Sequence, residues 1–196
     1  MVVFVVDALQ FATLFHPCGR AVDTPGHLVA LADGGAESRR EALRHLRGEV
    51  LHQGTPLTAT PPAAVAVAAL IGDPRLAGAA NADLRAGLLS FLAAVAEAGR
   101  SYTDAELDDL AVSAGFEVDA ALATVLESSG DYAEVYAGVP LANALFRRAV
   151  LGCREVVPVL LAAAAAALSD PASSVRAAAA HAVGACCVGA RPTPRW

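Results

Sequence analysis

The chain has 196 residues, 56% of them hydrophobic but only 5% aromatic, and carries a net charge of −6 at pH 7, with all 14 of its basic residues arginine. That balance lacks the basic stripe that grips phosphate backbones, so nucleic acid is set aside as a partner. Alanine and leucine dominate the apolar fraction and favour helix, which points to an all-α protein forming a single domain over residues 1–196.

The apolar stretch from Met1 to Phe15 has no basic leading region, is interrupted by Asp7 and is too short to cross a bilayer as a helix. It is expected to be a buried capping helix, and no other segment makes a convincing membrane span. Within it, Val2 to Val6 is the one run with strand propensity. Pro17, Gly19 and Pro25-Gly26 break the chain, and a short helix near His27–Ala32 ends at Asp33-Gly34-Gly35. A longer helix is predicted from Glu37 to His52. Its apolar side is Ala42, Leu43, Leu46, Val50 and Leu51, while Arg39, Arg40, Arg44 and Arg47 interleave with Glu37, Glu41 and Glu49 as a solvated, ion-paired face.

After the loop Gln53-Gly54-Thr55-Pro56, Thr60 reads as an N-cap with Pro61 in the first helical position, opening a helix to Ile71. Another helix follows from Ala82 to Ala98. Thr103-Asp104-Ala105-Glu106 is a capping box that starts a helix towards Ala114, and a further helix spans Val118–Ser128. The last two run from Pro140 to Cys187, and residues 189–196 read as a frayed tail.

Leu70-Ile71-Gly72-Asp73-Pro74 leading to Leu84-Arg85-Ala86, and Leu168-Ser169-Asp170-Pro171 leading to Val175-Arg176-Ala177, share one plan of helix, Asp-Pro turn and second helix. Leu31-Ala32-Asp33-Gly34 before Arg40-Glu41-Ala42-Leu43 is a third copy without the proline, 40 residues ahead of Asp73. These turns resemble the HEAT repeat consensus, and His52-Gln53-Gly54-Thr55 with Thr58-Ala59-Thr60 is similar to a stretch in actinobacterial HEAT-repeat proteins of unassigned function. The resemblance implies an armadillo-like α-α superhelix of about four helix pairs, a fold used mostly by scaffolds and binding modules. It fails over residues 102–148, where specificity is expected to reside.

Two groups are candidate partner or ligand contacts. His52, Gln53 and Thr55 stand at a helix end, where capping by the histidine and a left-handed Gly54 is the simpler role. Tyr132, Tyr136, Arg147 and Arg148 are the aromatic-plus-arginine combination of the diverged segment, with Glu134 a structural partner for an arginine. Asp104, Asp108 and Asp109 read as first-turn acids favoured by the helix dipole. His16 and Cys18 invite a thiol–imidazole reading, but no third group to orient them can be named.

His181 reads as an ordinary helix residue. Cys18, Cys153, Cys186 and Cys187 lack zinc spacing and read as reduced, small buried residues of a cytoplasmic protein. No catalytic residue, metal or cofactor is expected. The function implied is non-catalytic binding of a protein or peptide along a concave surface, with homodimerisation through the C-terminal helix. An enzyme or small-molecule binder on the same scaffold is the alternative, and a DNA glycosylase is disfavoured by the negative charge.

Overall fold

The structure is a computed structural model and describes residues 8–111, 116–128 and 138–188. Among the described residues the protein is all-α apart from two short hairpins. In chain order it comprises α1 (Ala8–Phe11), β1 (Phe15–His16), β2 (Gly19–Arg20), α2 (Thr24–Asp33), α3 (Ala36–His45), a π turn (Leu46–Val50), β3 (Leu51–His52), β4 (Thr55–Pro56) and α4 (Thr60–Ile71). Two 3-10 turns lead to α5 (Ala82–Arg100), α6 (Asp104–Asp109), α7 (Val118–Ser128), α8 (Val139–Ala166) and α9 (Ser173–Cys187).

The hairpins had no periodicity to announce them, being two residues per strand. They show that the N-terminal part is built twice. Phe15 pairs with Arg20 and His16 with Gly19; Leu51 pairs with Pro56 and His52 with Thr55. Each residue of the second hairpin stands 36 positions after its counterpart, and so does Thr60 after Thr24, the residues that open α4 and α2. The Asp33–Asp73 spacing of 40 is longer because α4 has 12 residues where α2 has 10, and Asp73 lies beyond its end.

The hairpins turn differently. Gln53 and Gly54 both have positive φ, 51° and 82°, the mark of a type I′ turn. Pro17 cannot adopt positive φ, so the first hairpin turns through Pro17-Cys18 and places its left-handed residue at Gly19, φ 115°. The units touch at Phe15, whose backbone N–H donates to Thr58 Oγ1 (2.8 Å) and whose carbonyl accepts from Ala59 N–H (3.3 Å).

The main core joins Leu28, Leu31, Leu46 and Val50 of the units to Val67 and Leu70 of α4, Leu88, Phe91, Leu92 and Val95 of α5, Leu160 of α8 and Val175 of α9. A second cluster seats Leu122 of α7 and Leu141 and Leu145 of α8 on Phe15. The diverged segment therefore rests on the first hairpin, and Arg20 donates to the Leu126 carbonyl of α7. Helix α8 passes the start of α4 at Gly152, where an added Cβ would lie 2.8 Å from Pro61 Cγ, and the end of α5 at Gly99.

Two helical stretches, Ala79–Arg100 and Val139–Ser169, are long and apolar enough to cross a membrane by length and composition. In the fold, α5 is a core helix whose Leu88, Leu89, Leu92 and Val95 are fully buried. The apolar stripe of α9, Val175, Ala179, Ala182 and Ala185, is buried within the chain.

The Asp-Pro turns act as ion-pair hubs. Arg75 bonds both carboxylate oxygens of Asp73 (2.9 and 2.7 Å) and reaches Asp33 (2.8 Å), tying two copies together at the surface. Arg85, 3% exposed, makes a two-point bond to Asp170 (2.9 and 3.0 Å), joining α5 to the turn before α9. That bond holds Asp170 below the usual carboxylate range.

Several sequence expectations shift. The helix predicted to His52 ends as α at His45 and widens into the π turn. Thr60 is the first residue of α4 rather than its N-cap, its hydroxyl accepting from Leu57 N–H (2.8 Å) and donating to the Val50 carbonyl. The capping box at Thr103 and Glu106 is formed, with the N–H of Thr103 bonded to Glu106 at 2.7 Å. Cys153 is buried, but Cys18 and Cys187 are exposed. Residues 1–7 and 189–196, which contain the strand-like valine run and the tail, lie outside the described residues.

Candidate functional site

Two places concentrate chemistry. The first is an open groove of about 580 Å³ between the start of α4, the middle of α8 and the α6–α7 region. Pro61, Pro62, Leu110, Val118 and Leu151 supply apolar wall; Arg147 and Arg148 supply charge. Thr58, from the stretch after the second hairpin, also lines it, as does Glu155.

The groove arginines also hold the diverged helices to α8. Arg147 Nε donates to the Leu107 carbonyl (3.0 Å) and its guanidinium stands 3.5 Å from Asp108, while Arg148 pairs with Asp119 (2.8 Å). About two turns on, Arg154 pairs with Asp104 (2.6 Å) and donates to the Gly99 carbonyl (2.7 Å). Asp104 and Asp108 of α6 thus have arginine partners, and Asp108 and Asp119 are exposed enough that a ligand carboxylate can compete for the same guanidinium groups.

The second place is the first hairpin unit. Fully buried Thr24 and nearly buried His16 and His45 sit beside Asp23. His16 Nε2 lies 2.8 Å from Asp23 Oδ1, and His16 Nδ1 accepts the Cys18 N–H (3.1 Å). The Cys18 N–H assigns a lone pair to Nδ1, so the proton of the neutral ring is on Nε2 and is donated to Asp23. His45 bonds Thr24 Oγ1 through Nε2 (2.9 Å), stacks on His27 with ring centroids 4.1 Å apart and meets the His16 ring edge-on at 5.4 Å.

Burial, reinforced by the neighbouring His27, pushes the His45 imidazole down to about 4. Partial burial raises Asp23, but the His16 hydrogen bond and the nearby imidazoles outweigh it and hold its carboxyl below the ordinary value. The Cys18 thiol donates to Glu49 Oε2 at 3.1 Å, and that bond, with partial desolvation and the carboxylate charge, raises the thiol above its ordinary value. A thiol so held is a poor nucleophile at neutral pH, which argues against thiol–imidazole catalysis on this pair.

The residues singled out in the sequence divide accordingly. His52 lies on β3 and its Nδ1 donates to the Gly48 carbonyl in the π turn (2.7 Å), while Gln53 and Thr55 are exposed at the hairpin tip. None of the three lines the groove. Arg147 and Arg148 do; Tyr132 and Tyr136 lie outside the described residues. Sequence reasoning missed Thr58, Asp23, His27, His45 and Glu49. Their signal was the 36-residue spacing of His16 with His52 and of Thr24-Pro25 with Thr60-Pro61.

No protein-family model, no curated protein and no solved structure matches the chain.

Proposed function

We propose that the protein is a non-catalytic binding or scaffold protein, acting in the cytoplasm, that takes a protein segment or peptide in the groove between α4, α8 and the α6–α7 region. The observation that carries this reading is the groove itself: apolar wall with two adjacent guanidinium groups, Arg147 and Arg148, at one side. That pairing suits an apolar segment bearing a carboxylate, because buried area supplies affinity and the charges set register. The arrangement of helix pairs as a HEAT-like solenoid belongs to the same reading, supported by the ion pairs that link Asp33 to Asp73 and Arg85 to Asp170.

The groove's volume also lies within the range of small-molecule sites, which favours small-molecule binding as the second reading. A homodimer through α9 would have to use the exposed positions Ala177, Ala180 and Gly184, since the main apolar stripe is internal.

The test is site-specific photo-crosslinking in the native host, with the crosslinker at Leu151 in the groove and, as control, at Arg176 on α9. A discrete protein adduct from Leu151 and none from Arg176 is expected. Equal labelling from both positions contradicts the reading, and a small-molecule adduct at Leu151 alone selects the second.

A further inference from the structure

We propose that the first hairpin unit is a metal site, binding one Zn²⁺ ion through His16 Nδ1, Cys18 Sγ and a carboxylate oxygen of Glu49. One ring nitrogen of His16, Cys18 Sγ and a Glu49 carboxylate oxygen lie within 4.8 Å of one another, and the thiol already contacts Glu49 at 3.1 Å. The site is independent of the groove reading.

Three elements converge to make it. The hairpin turn holds His16 and Cys18 two positions apart, with Pro17 fixing the corner between them. The π turn Leu46–Val50 delivers Glu49 opposite, and such wide turns recur at functional sites. Asp23, at the start of α2, takes the Nε2 proton of His16 at 2.8 Å. A histidine that ligates zinc through one nitrogen ordinarily donates its other N–H to a carboxylate, which fixes the ring and raises its basicity.

The orientation of His16 also selects among the groupings present. His16, Asp23 and His45 form a second close set. Ligation there would need His16 Nε2, so its proton would have to move to Nδ1 and face the Cys18 N–H while Asp23 lost its donor. Through Nδ1 the proton stays on Nε2, donated to Asp23. Zinc takes the place of the Cys18 N–H at Nδ1 and of the thiol proton at Sγ, which leaves to solvent as the thiolate forms. Sulfur, nitrogen and carboxylate ligands in one site suit Zn²⁺, and three of them leave a fourth position for water. Cys18 is exposed, so the ion has a path in.

The test uses the full chain, reduced and metal-free, titrated with Co²⁺ and then Zn²⁺. One equivalent of Co²⁺ giving a thiolate charge-transfer band that Zn²⁺ removes is expected. Cys18→Ser, at an exposed position, should keep the helical circular dichroism and lose the band. Asp23→Asn should weaken Zn²⁺ binding about 10-fold to 100-fold, through the ring alone. Glu49→Gln should weaken it by at least a similar factor. The double variant C186S/C187S should bind as the parent does. Absence of a one-to-one complex overturns the proposal, as does a band that survives Cys18→Ser or disappears in C186S/C187S.

Discussion

The two hairpin units share a backbone plan and put its matched positions to different uses. In the first, Ala21 N–H bonds the Leu14 carbonyl directly (2.8 Å) and leaves the Thr24 hydroxyl to His45. In the second, Thr60 stands between the matching groups, accepting from Leu57 N–H and donating to the Val50 carbonyl. Cys18, Asp23 and His27 have Gly54, Ala59 and Ala63 at the positions 36 residues later. The repeat therefore supplies the frame, and the first copy has loaded it with titratable groups where the second carries small or apolar ones.

The largest expected effect follows from that loading. His45 is held at about 4 when folded against an ordinary 6.5, so the unfolded chain binds more protons between those values. Stability is then complete above pH 6.5 and falls as pH drops towards 4, by about 3 kcal/mol. His16, His27, Asp23 and Glu49 are the titratable groups around the ring. Urea midpoints at pH 7 and pH 4.5 should differ strongly in the parent and much less in His45→Gln. An equal shift in both would remove the first unit as the source.

Thr60→Val strands a buried N–H and a buried carbonyl and should cost about 1–3 kcal/mol in urea unfolding, alike at both pH values. A cost near zero would mean that Leu57 and Val50 close on each other directly, as Ala21 and Leu14 do. The Asp-Pro turns offer a similar contrast of smaller size at one end. Arg75→Ala removes an exposed, solvent-screened pair and should lower the urea midpoint only slightly, well below the loss when Asp170→Ala leaves the buried Arg85 without its ion pair. The smallest effect belongs to the turns: Gln53→Gly should raise the melting temperature, by relieving a side chain in the left-handed region, with a gain of about 1 kcal/mol. Pro17→Gly should give no such gain.

Much of the helical frame was legible. Alanine-rich stretches bounded by Asp-Pro, the Thr103 capping box and the Val118–Ser128 helix all appear where their local signals put them. The hairpins were not, because a two-residue strand has no alternation to read. The histidine cluster failed for another reason: His16, Asp23, His45 and Glu49 meet only when α2, α3 and the π turn are folded together. Aligning copies on the aspartates gave a spacing of 40 and hid the 36-residue match between His16 and His52. Of the groove, Arg147 and Arg148 were legible as charge in the diverged segment; Thr58 was not, since its role depends on the second unit lying against α8.

The matched histidines provide the most direct measurement. A long-range proton–nitrogen correlation spectrum at neutral pH reads which ring nitrogen carries the proton. His16 should be the Nε2–H tautomer, with Nδ1 bearing the lone pair that faces Cys18, and His52 the Nδ1–H tautomer bonded to Gly48. The same tautomer at both positions, or rapid exchange between tautomers at His16, would contradict the division of roles between the two units.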